Sequence, residues 1–435
     1  MIQRNRFSFP TIDISVFENK LREYALTQEY AVHLNSNAKQ NSCTYSKIYA
    51  FGSRNASECH RANDLNQAAR LVSVPDWKFL AIAYDFKNLY HQNHSSIPAS
   101  VAFPKLAVFV PEFVFIVEDE IVLETFLDFA AAEELVHRIA NVQETEQYKN
   151  LVASEVIPKL SKADYLARTT KILEHIQAGD FYEINFCFPF QTKIISPNIN
   201  ALYSALNSKS EAPFSGLFKW HENAVISSSP ERFLRKQGEK LSSQPIKGTA
   251  RRSSEPEIDE QLKAALKSNA KERAENVMIV DLVRNDLSKV ATKNSVRVEE
   301  LCEIYSFKQV HQMISTISCE LRAETSFFDI LEATFPMGSM TGAPKIEAMK
   351  WIDIYEPSAR GMYSGSFGYI APNGDFDLNV IIRSILCDTK SGETTFSVGS
   401  AITANADPAE EYQECLLKAK AMMEVLNPIS VEQVR

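Results

Sequence analysis

Strand-like and helix-like segments follow one another in this chain without the regular strand, helix, strand alternation that a doubly wound parallel sheet requires. Parallel neighbours need a long crossover, usually helical, at every step, whereas antiparallel neighbours need only a turn. The pattern therefore predicts an α+β fold with large antiparallel β-sheets flanked by helices. At 435 residues the chain also exceeds the roughly 250 to 300 at which a single core splits, so two lobes or one large intertwined unit are expected. Residues 1–127 read as a strand-rich lobe of short apolar runs broken by polar clusters. Within it "LAVFVPEFVFIV" (106–117) reads as two short strands parted by Pro111 and Glu112. Residues 128–435 read as a second region, intertwined with the first, that carries the chemistry-bearing segments.

Composition closes off several partners. A net charge of -9 repels a polyanion, and no Lys/Arg stripe interleaved with aromatics overcomes it, so no nucleic acid is expected. No apolar run reaches the roughly 20 residues of a membrane helix, so no membrane partner is expected. The start, "MIQRNRFSFPTI", lacks the apolar stretch and small-residue cleavage site of a signal peptide. Seven cysteines, widely spread and without a Cys-x-x-Cys pair, suit a reducing cytoplasm and small buried apolar side chains rather than a disulfide framework or a zinc cage.

Two helices draw attention. One is expected to begin near Pro256 and to run unbroken to Leu287, apolar on nearly every side from Val277 to Val283. The other opens at Asp407, a capping residue, with Pro408 at its first position. Glu272 and Glu275 lie three apart on the first helix, and Glu411 and Glu414 three apart on the second, so each pair shares a helical face. Facing one another, the four would form an oxygen-only site suited to Mg2+, a hard cation that keeps waters and leaves room for an anionic substrate. Each pair alone equally suits a solvated helix face.

A further oddity is "SSQPIKGTARR" (242–252), which sets Lys247 between an isoleucine and a glycine. On its own, a lysine in such a loop is ordinarily a surface residue.

Taken together, "SPERF" (229–233), "PIKGTARR" (245–252), "KERAENVMIVDLVRNDL" (271–287), "GSMTGAPK" (338–345), "RGMYSGSFGY" (360–369) and "DPAEEYQE" (407–414) make this chain resemble the chorismate-utilising enzymes. The resemblance runs from about residue 160 to about 425, and within the family Lys247 and Asn185 favour the aminodeoxychorismate type. It implies an anthranilate synthase component I-like fold, a chorismate-binding catalytic region and Mg2+-dependent replacement of the ring hydroxyl of chorismate by ammonia, on the route to para-aminobenzoate and folate. It implies Glu275 and Glu414 as metal ligands, with Glu272 and Glu411 holding metal-bound waters. It also implies Lys247 as the nucleophile at ring carbon 2, Glu231 as the acid that protonates the departing hydroxyl at carbon 4, and His311 as an active-site histidine. Thr341, Tyr363, Arg383, Gly399 and Lys418 match positions that contact substrate.

The nucleophile must be a neutral amine, and an ordinary lysine is neutral in only about one molecule in a thousand near pH 7.4. Burial beside the cations Arg251 and Arg252 is one way to correct that. In "VGSAITA" (398–404), Ser400 and Ala401 add side chains where backbone amides should approach a carboxylate, and Met337 stands in "FPMGSMTGAPK" where a glycine is common. Anthranilate synthase is the alternative within the family, and a non-catalytic chorismate-binding homologue the alternative outside catalysis. Isochorismate and salicylate synthases carry a lysine where this chain has Glu183. No glutaminase signature is visible, so ammonia is expected from solution or from a glutamine amidotransferase subunit.

Overall fold

The structure is a computed structural model that describes residues 3–37, 43–90, 97–143, 153–308 and 310–426. Two sheets organise it. Among the described residues the first has 12 strands, ordered Asn5–Phe9, Ile121–Thr125, Phe113–Val117, Lys47–Phe51, Tyr30–Asn35, Phe214–Trp220, Asn223–Ser229, Ser384–Asp388, Glu393–Thr403, Glu183–Lys193 and Gly342–Ala343, with Ile157–Pro158 also on Glu183–Lys193. The second has 10, ordered Ile246–Arg251, Val310–Glu320, Lys240–Gln244, Arg232–Gln237, Phe376–Asn379, Ser366–Ile370, Lys78–Ile82, Leu106–Val110 and Asn55–Cys59, with Arg297–Ser306 on Val310–Glu320. Every pairing between these strands is antiparallel. The expected α+β class with large antiparallel sheets is what the chain adopts. Strands from the first 127 residues flank both sheets: Tyr30–Asn35 pairs with Phe214–Trp220 in one, and Lys78–Ile82 with Ser366–Ile370 in the other.

The sheets face one another across a core of Val32, Phe79, Phe109, Phe218, Phe367 and Ile381. Helices cover their outer faces. Lys162–Ala178 and Pro408–Leu426 bury Tyr165, Ile172, Cys415 and Met422 against Phe186 and Phe188 of the first sheet. Helix Ala270–Ser288 buries Ile279, Val280, Val283 and Leu287 against the second. Gly179 ends its helix in the left-handed region at φ 87°, and Asp407 Oδ1 accepts from the N–H groups of Ala409 and Glu410 at 2.8 and 3.0 Å. "LAVFVPEFVFIV" is indeed two strands, Leu106–Val110 and Phe113–Val117.

Two expectations about the first helix fail. It is not continuous: Asn269 adopts an extended ψ of 114°, ends helix Pro256–Ser268, and caps the next by accepting from Glu272 N. Nor is it apolar all round, because Val277 is 45% exposed and Asp281 also faces solvent. The buried face instead carries Glu275 and Asn276 ahead of Ile279, Val280 and Val283. A buried carboxylate at that point of an apolar stripe is the first structural pointer to a site.

Candidate active site

Strand geometry decides which side chains of Glu183–Lys193 meet. Alternate residues face opposite sides of a sheet, so Phe186, Phe188 and Phe190 pack under the helices while Glu183, Asn185 and Cys187 face the other way. Gly399 lies opposite Cys187 on the neighbouring strand, and a Cβ there would collide with Cys187 Sγ and lie 2.8 Å from Asn185 Oδ1. Ser400 pairs with Phe186 and points to the helix side, where its hydroxyl meets Tyr165 OH at 2.9 Å. Its side chain is thus turned away from the face Gly399 presents, and only Ala401, opposite Asn185, shares that face. Met337 is buried in the apolar core under the second sheet.

Across from Glu183 runs Ile246–Arg251. Gly248 takes φ +89°, and a Cβ there would sit 3.1 Å from Glu272 Oε2, so the close approach the glycine permits is to a carboxylate of helix Ala270–Ser288. Lys247 beside it is largely buried, its side chain 11% exposed, and its Nζ donates to Glu183 Oε1 at 2.7 Å. The expected cationic neighbours are absent from its surroundings: Arg251 is exposed, and Arg252 pairs with Asp259 at 2.7 Å. Burial works against the ammonium, but the carboxylates of Glu183, Glu275 and Glu231 outweigh it and hold Lys247 above its ordinary value. The resting state is an ion pair, not the neutral amine that cations would have favoured.

Glu231 is 4% exposed and accepts from Ser339 Oγ at 2.6 Å. It is not paired to Arg232, whose guanidinium is engaged by Asp377 at 2.8 Å. Burial pushes the Glu231 carboxyl up to about 7, against the opposing pull of Ser339 and Lys247. A carboxylic acid that holds its proton near neutrality, in the charge field of a buried amine, is equipped to donate it.

The four helix carboxylates share one electrostatic neighbourhood. Burial raises Glu272 and Glu411, and Glu414 is the next influence on both. Burial pushes Glu275 up to about 7, and its Oε1 is buried without a hydrogen-bond partner. They do not form a closed cage: among the described residues no three ligand-type side chains converge as a metal centre. Two lysines stand on them, Lys271 on Glu411 at 3.2 Å and Lys418 on Glu414 at 2.5 Å. The donor set, oxygen throughout and with one orphaned buried oxygen, fits a hard cation such as Mg2+.

Arg383 sits at φ 52° and has no ion-pair partner among the described residues, and burial lowers its guanidinium in spite of Tyr363 and Glu414 nearby. Tyr363 is buried beside Cys187 and Arg383. Lys418 Nζ also donates to Gly399 O at 2.8 Å. Thr341 is fully buried and donates within its own loop, to Met337 O and Gly338 O, while its carbonyl accepts from Asn185 N at 2.8 Å. His311 sits opposite Ala250, on the strand next to that of Lys247. Its ring nitrogens are committed to Ser306 Oγ at 2.8 Å and Asp259 at 3.0 Å, so it hydrogen-bonds to none of the groups around Lys247.

Three contributors escape sequence reasoning. Glu183 is Lys247's counter-ion, and Ser339 is the donor to Glu231. Arg360, ion-paired to Glu356 at 2.7 Å, donates to Asn185 O and Met340 O and ties the strand to the 337–341 loop. Ser339 and Arg360 lie inside quoted motifs, and Glu183 stands out in the sequence only as the place where isochorismate and salicylate synthases carry a lysine, with nothing local to pair it with Lys247.

Comparison with known proteins places this geometry. The family model described as chorismate binding enzyme matches residues 16–424. Aminodeoxychorismate synthase component 1 of Salmonella typhimurium is 31% identical over 343 residues, covering 79% of this chain and 75% of that protein. The chloroplastic aminodeoxychorismate synthase of Arabidopsis thaliana is 39% identical over 268 residues, covering 61% of this chain. The chain spans only 29% to 30% of the length of two such plant relatives, so they extend far beyond it. The fold is shared with anthranilate synthase component I from Streptococcus pneumoniae, at a TM-score of 0.76 and 22% identity over 88% of this chain and 93% of that one. The menaquinone-specific isochorismate synthase of Escherichia coli also reaches a TM-score of 0.76, at 16% identity over 98% of this chain and 94% of that one. With a match that runs through nearly the whole chain and takes in every residue of the site named above, this chain belongs to the chorismate binding enzyme family.

Proposed function

We propose that the chain aminates chorismate to 4-amino-4-deoxychorismate, with ammonia as the nitrogen donor. The observation that carries this reading is the largely buried Lys247 amine, 2.7 Å from Glu183 and in the charge field of Glu231, where a surface lysine would have neither. The bacterial relatives named aminodeoxychorismate synthase component 1 support it, and the word component supports a separate glutamine amidotransferase subunit as the source of ammonia.

The resting ion pair explains how a lysine with a raised pKa serves as nucleophile. A proton passing from Lys247 Nζ to Glu183 Oε1 gives a neutral amine and a neutral acid without changing the number of protons in the site, so no alkaline medium is needed. In a desolvated cavity the neutral pair escapes the penalty that burial imposes on two charges. Lys247 Nζ then bonds to ring carbon 2 of chorismate, the two ring double bonds shift, and the bond from carbon 4 to its hydroxyl breaks. Glu231 gives its proton to that hydroxyl, which leaves as water. Ammonia attacks carbon 4, the double bonds return, Lys247 is expelled as an amine, and the Glu231 carboxylate takes the surplus proton from nitrogen.

Glu275 and Glu414 would hold Mg2+, with Glu272 and Glu411 behind them. The ion, when bound, supplies positive charge to the ring carboxylate. In the wild type, Mg2+ should raise the melting temperature by a few degrees through its preference for the folded chain. Glu275→Gln should abolish that rise. Because burial pushes Glu275 up to about 7 and only the ionised form binds metal, the rise should be small at pH 6 and grow through pH 7.5. Thermal melts with and without Mg2+ at the two pH values check both statements.

Arg383 is the guanidinium free to grip a carboxylate of chorismate. Charge-assisted hydrogen bonds contribute about 1.5 to 3 kcal/mol, so Arg383→Met should raise KM roughly 10- to 100-fold, which initial-rate kinetics would read. The direct test of the function is incubation of the purified chain with chorismate, Mg2+ and ammonium, with the product identified by mass. Anthranilate as the product, or no turnover, would overturn the reading.

A further inference from the structure

A second constellation shares no residue with the site above. On the helix-covered face of the first sheet, between helices Ile14–Leu26 and Ile199–Ser210, lies a cleft of about 510 Å³. That volume is in the range that holds small organic ligands. His33, 3% exposed, lines it, and neither of its ring nitrogens has a hydrogen-bond partner. Leaving such groups unmatched costs free energy unless something in the cleft meets them.

The walls say what that partner is. His33 stacks on Tyr49 with centroids 4.1 Å apart and meets Tyr203 edge-on at 5.0 Å. Among the described residues two cations line the cleft, and their situations differ. Lys47 is neutralised by both oxygens of Glu18, at 2.6 and 2.8 Å. The other carboxylate of the lining, Glu211, accepts from Lys308 at 2.6 Å. Arg22 lies over the Tyr203 ring and donates to the neutral side chains of Asn19, Asn200 and Ser204, and among the described residues it has no ion pair. Among the described residues the cleft thus offers one guanidinium without an ion pair, one imidazole with a free N–H, and the two phenol rings of Tyr49 and Tyr203.

We infer that this cleft binds a small aromatic monocarboxylate, its carboxylate on Arg22 and the His33 N–H, its ring among those of His33, Tyr49 and Tyr203. A single unbalanced positive charge suits a monoanion rather than phosphate, and a guanidinium fork matches a carboxylate. Tyrosine and histidine rings suit a flat apolar body.

The test uses the full chain labelled with 15N-histidine, with benzoate, acetate and inorganic phosphate as probes. His33 is assigned as the resonance pair missing from His33→Phe. Benzoate should move the His33 nitrogen resonances with a dissociation constant below about 1 mM, and acetate and phosphate should bind at least tenfold more weakly. Arg22→Met should weaken benzoate at least tenfold. His33→Phe keeps the stack on Tyr49 and discards the unmatched nitrogens, so it should melt higher than the wild type while losing benzoate affinity. No shift of the His33 nitrogens at 10 mM benzoate would overturn the proposal. So would benzoate affinity unchanged in both variants, or phosphate binding as tightly as benzoate. None of these readouts depends on turnover of chorismate.

Discussion

Lys247→Ala should cut chorismate amination by a factor of about 10³ to 10⁶, the range expected when a covalent nucleophile is lost, and should leave no lysine-bound intermediate visible by mass. The variant has a second effect that must be kept apart from the first. Glu183 is 1% exposed, its Oε1 is bonded to Lys247 and its Oε2 has no partner. Without Lys247 it becomes a buried carboxylate with no counter-charge, a loss that typically costs about 3 to 5 kcal/mol. The double variant Lys247→Ala with Glu183→Gln removes that charge and should recover the melting temperature. It should not recover amination. Full amination by Lys247→Ala would refute the nucleophile, whatever the melting temperature.

Glu231→Gln should lower turnover by about 10² to 10⁴, the usual contribution of a positioned acid. The amide can still accept from Ser339, so folding should be preserved. The pH profile separates this role from mere packing. Burial pushes the Glu231 carboxyl up to about 7, and the form that donates is the protonated one. Wild-type turnover should therefore fall as pH rises through about 7, while the residual turnover of Glu231→Gln should lack that falling limb. A limb that survives the substitution would assign it to another group.

What could be read from the residues, and what could not, follows from the range of the interactions involved. The carboxylate pairs at 272 and 275 and at 411 and 414 were legible because helical spacing is a local rule, and the structure puts all four in one charge field. The strands at 106–117 and the helix start at Asp407 were legible for the same reason. Lys247 was misjudged in its surroundings. Its neighbours in the chain are two arginines, but the fold turns these away and brings in a carboxylate 64 positions earlier. The break at Asn269 was hidden because an asparagine is tolerated inside helices as well as before them. Ser400 looked like an obstruction because its outward or inward sense depends on strand register, which only the pairing with Phe186 reveals. The hydrogen bond of His311 to Asp259 could not be read either, because the two lie 52 positions apart.

The interleaving of the two sheets has a consequence for biogenesis. The strand Lys78–Ile82 pairs on one edge with Leu106–Val110, but its other edge waits for Ser366–Ile370. At a synthesis rate of about 5 to 20 residues per second, the roughly 280 residues in between emerge over about 15 to 60 seconds. For that interval the nascent chain presents the open backbone edge of an apolar strand, the kind of surface that recruits neighbours and invites clumping. Growing chains on the ribosome should therefore be held by chaperones until the last third has been made, and stalling translation before residue 366 should leave an insoluble product.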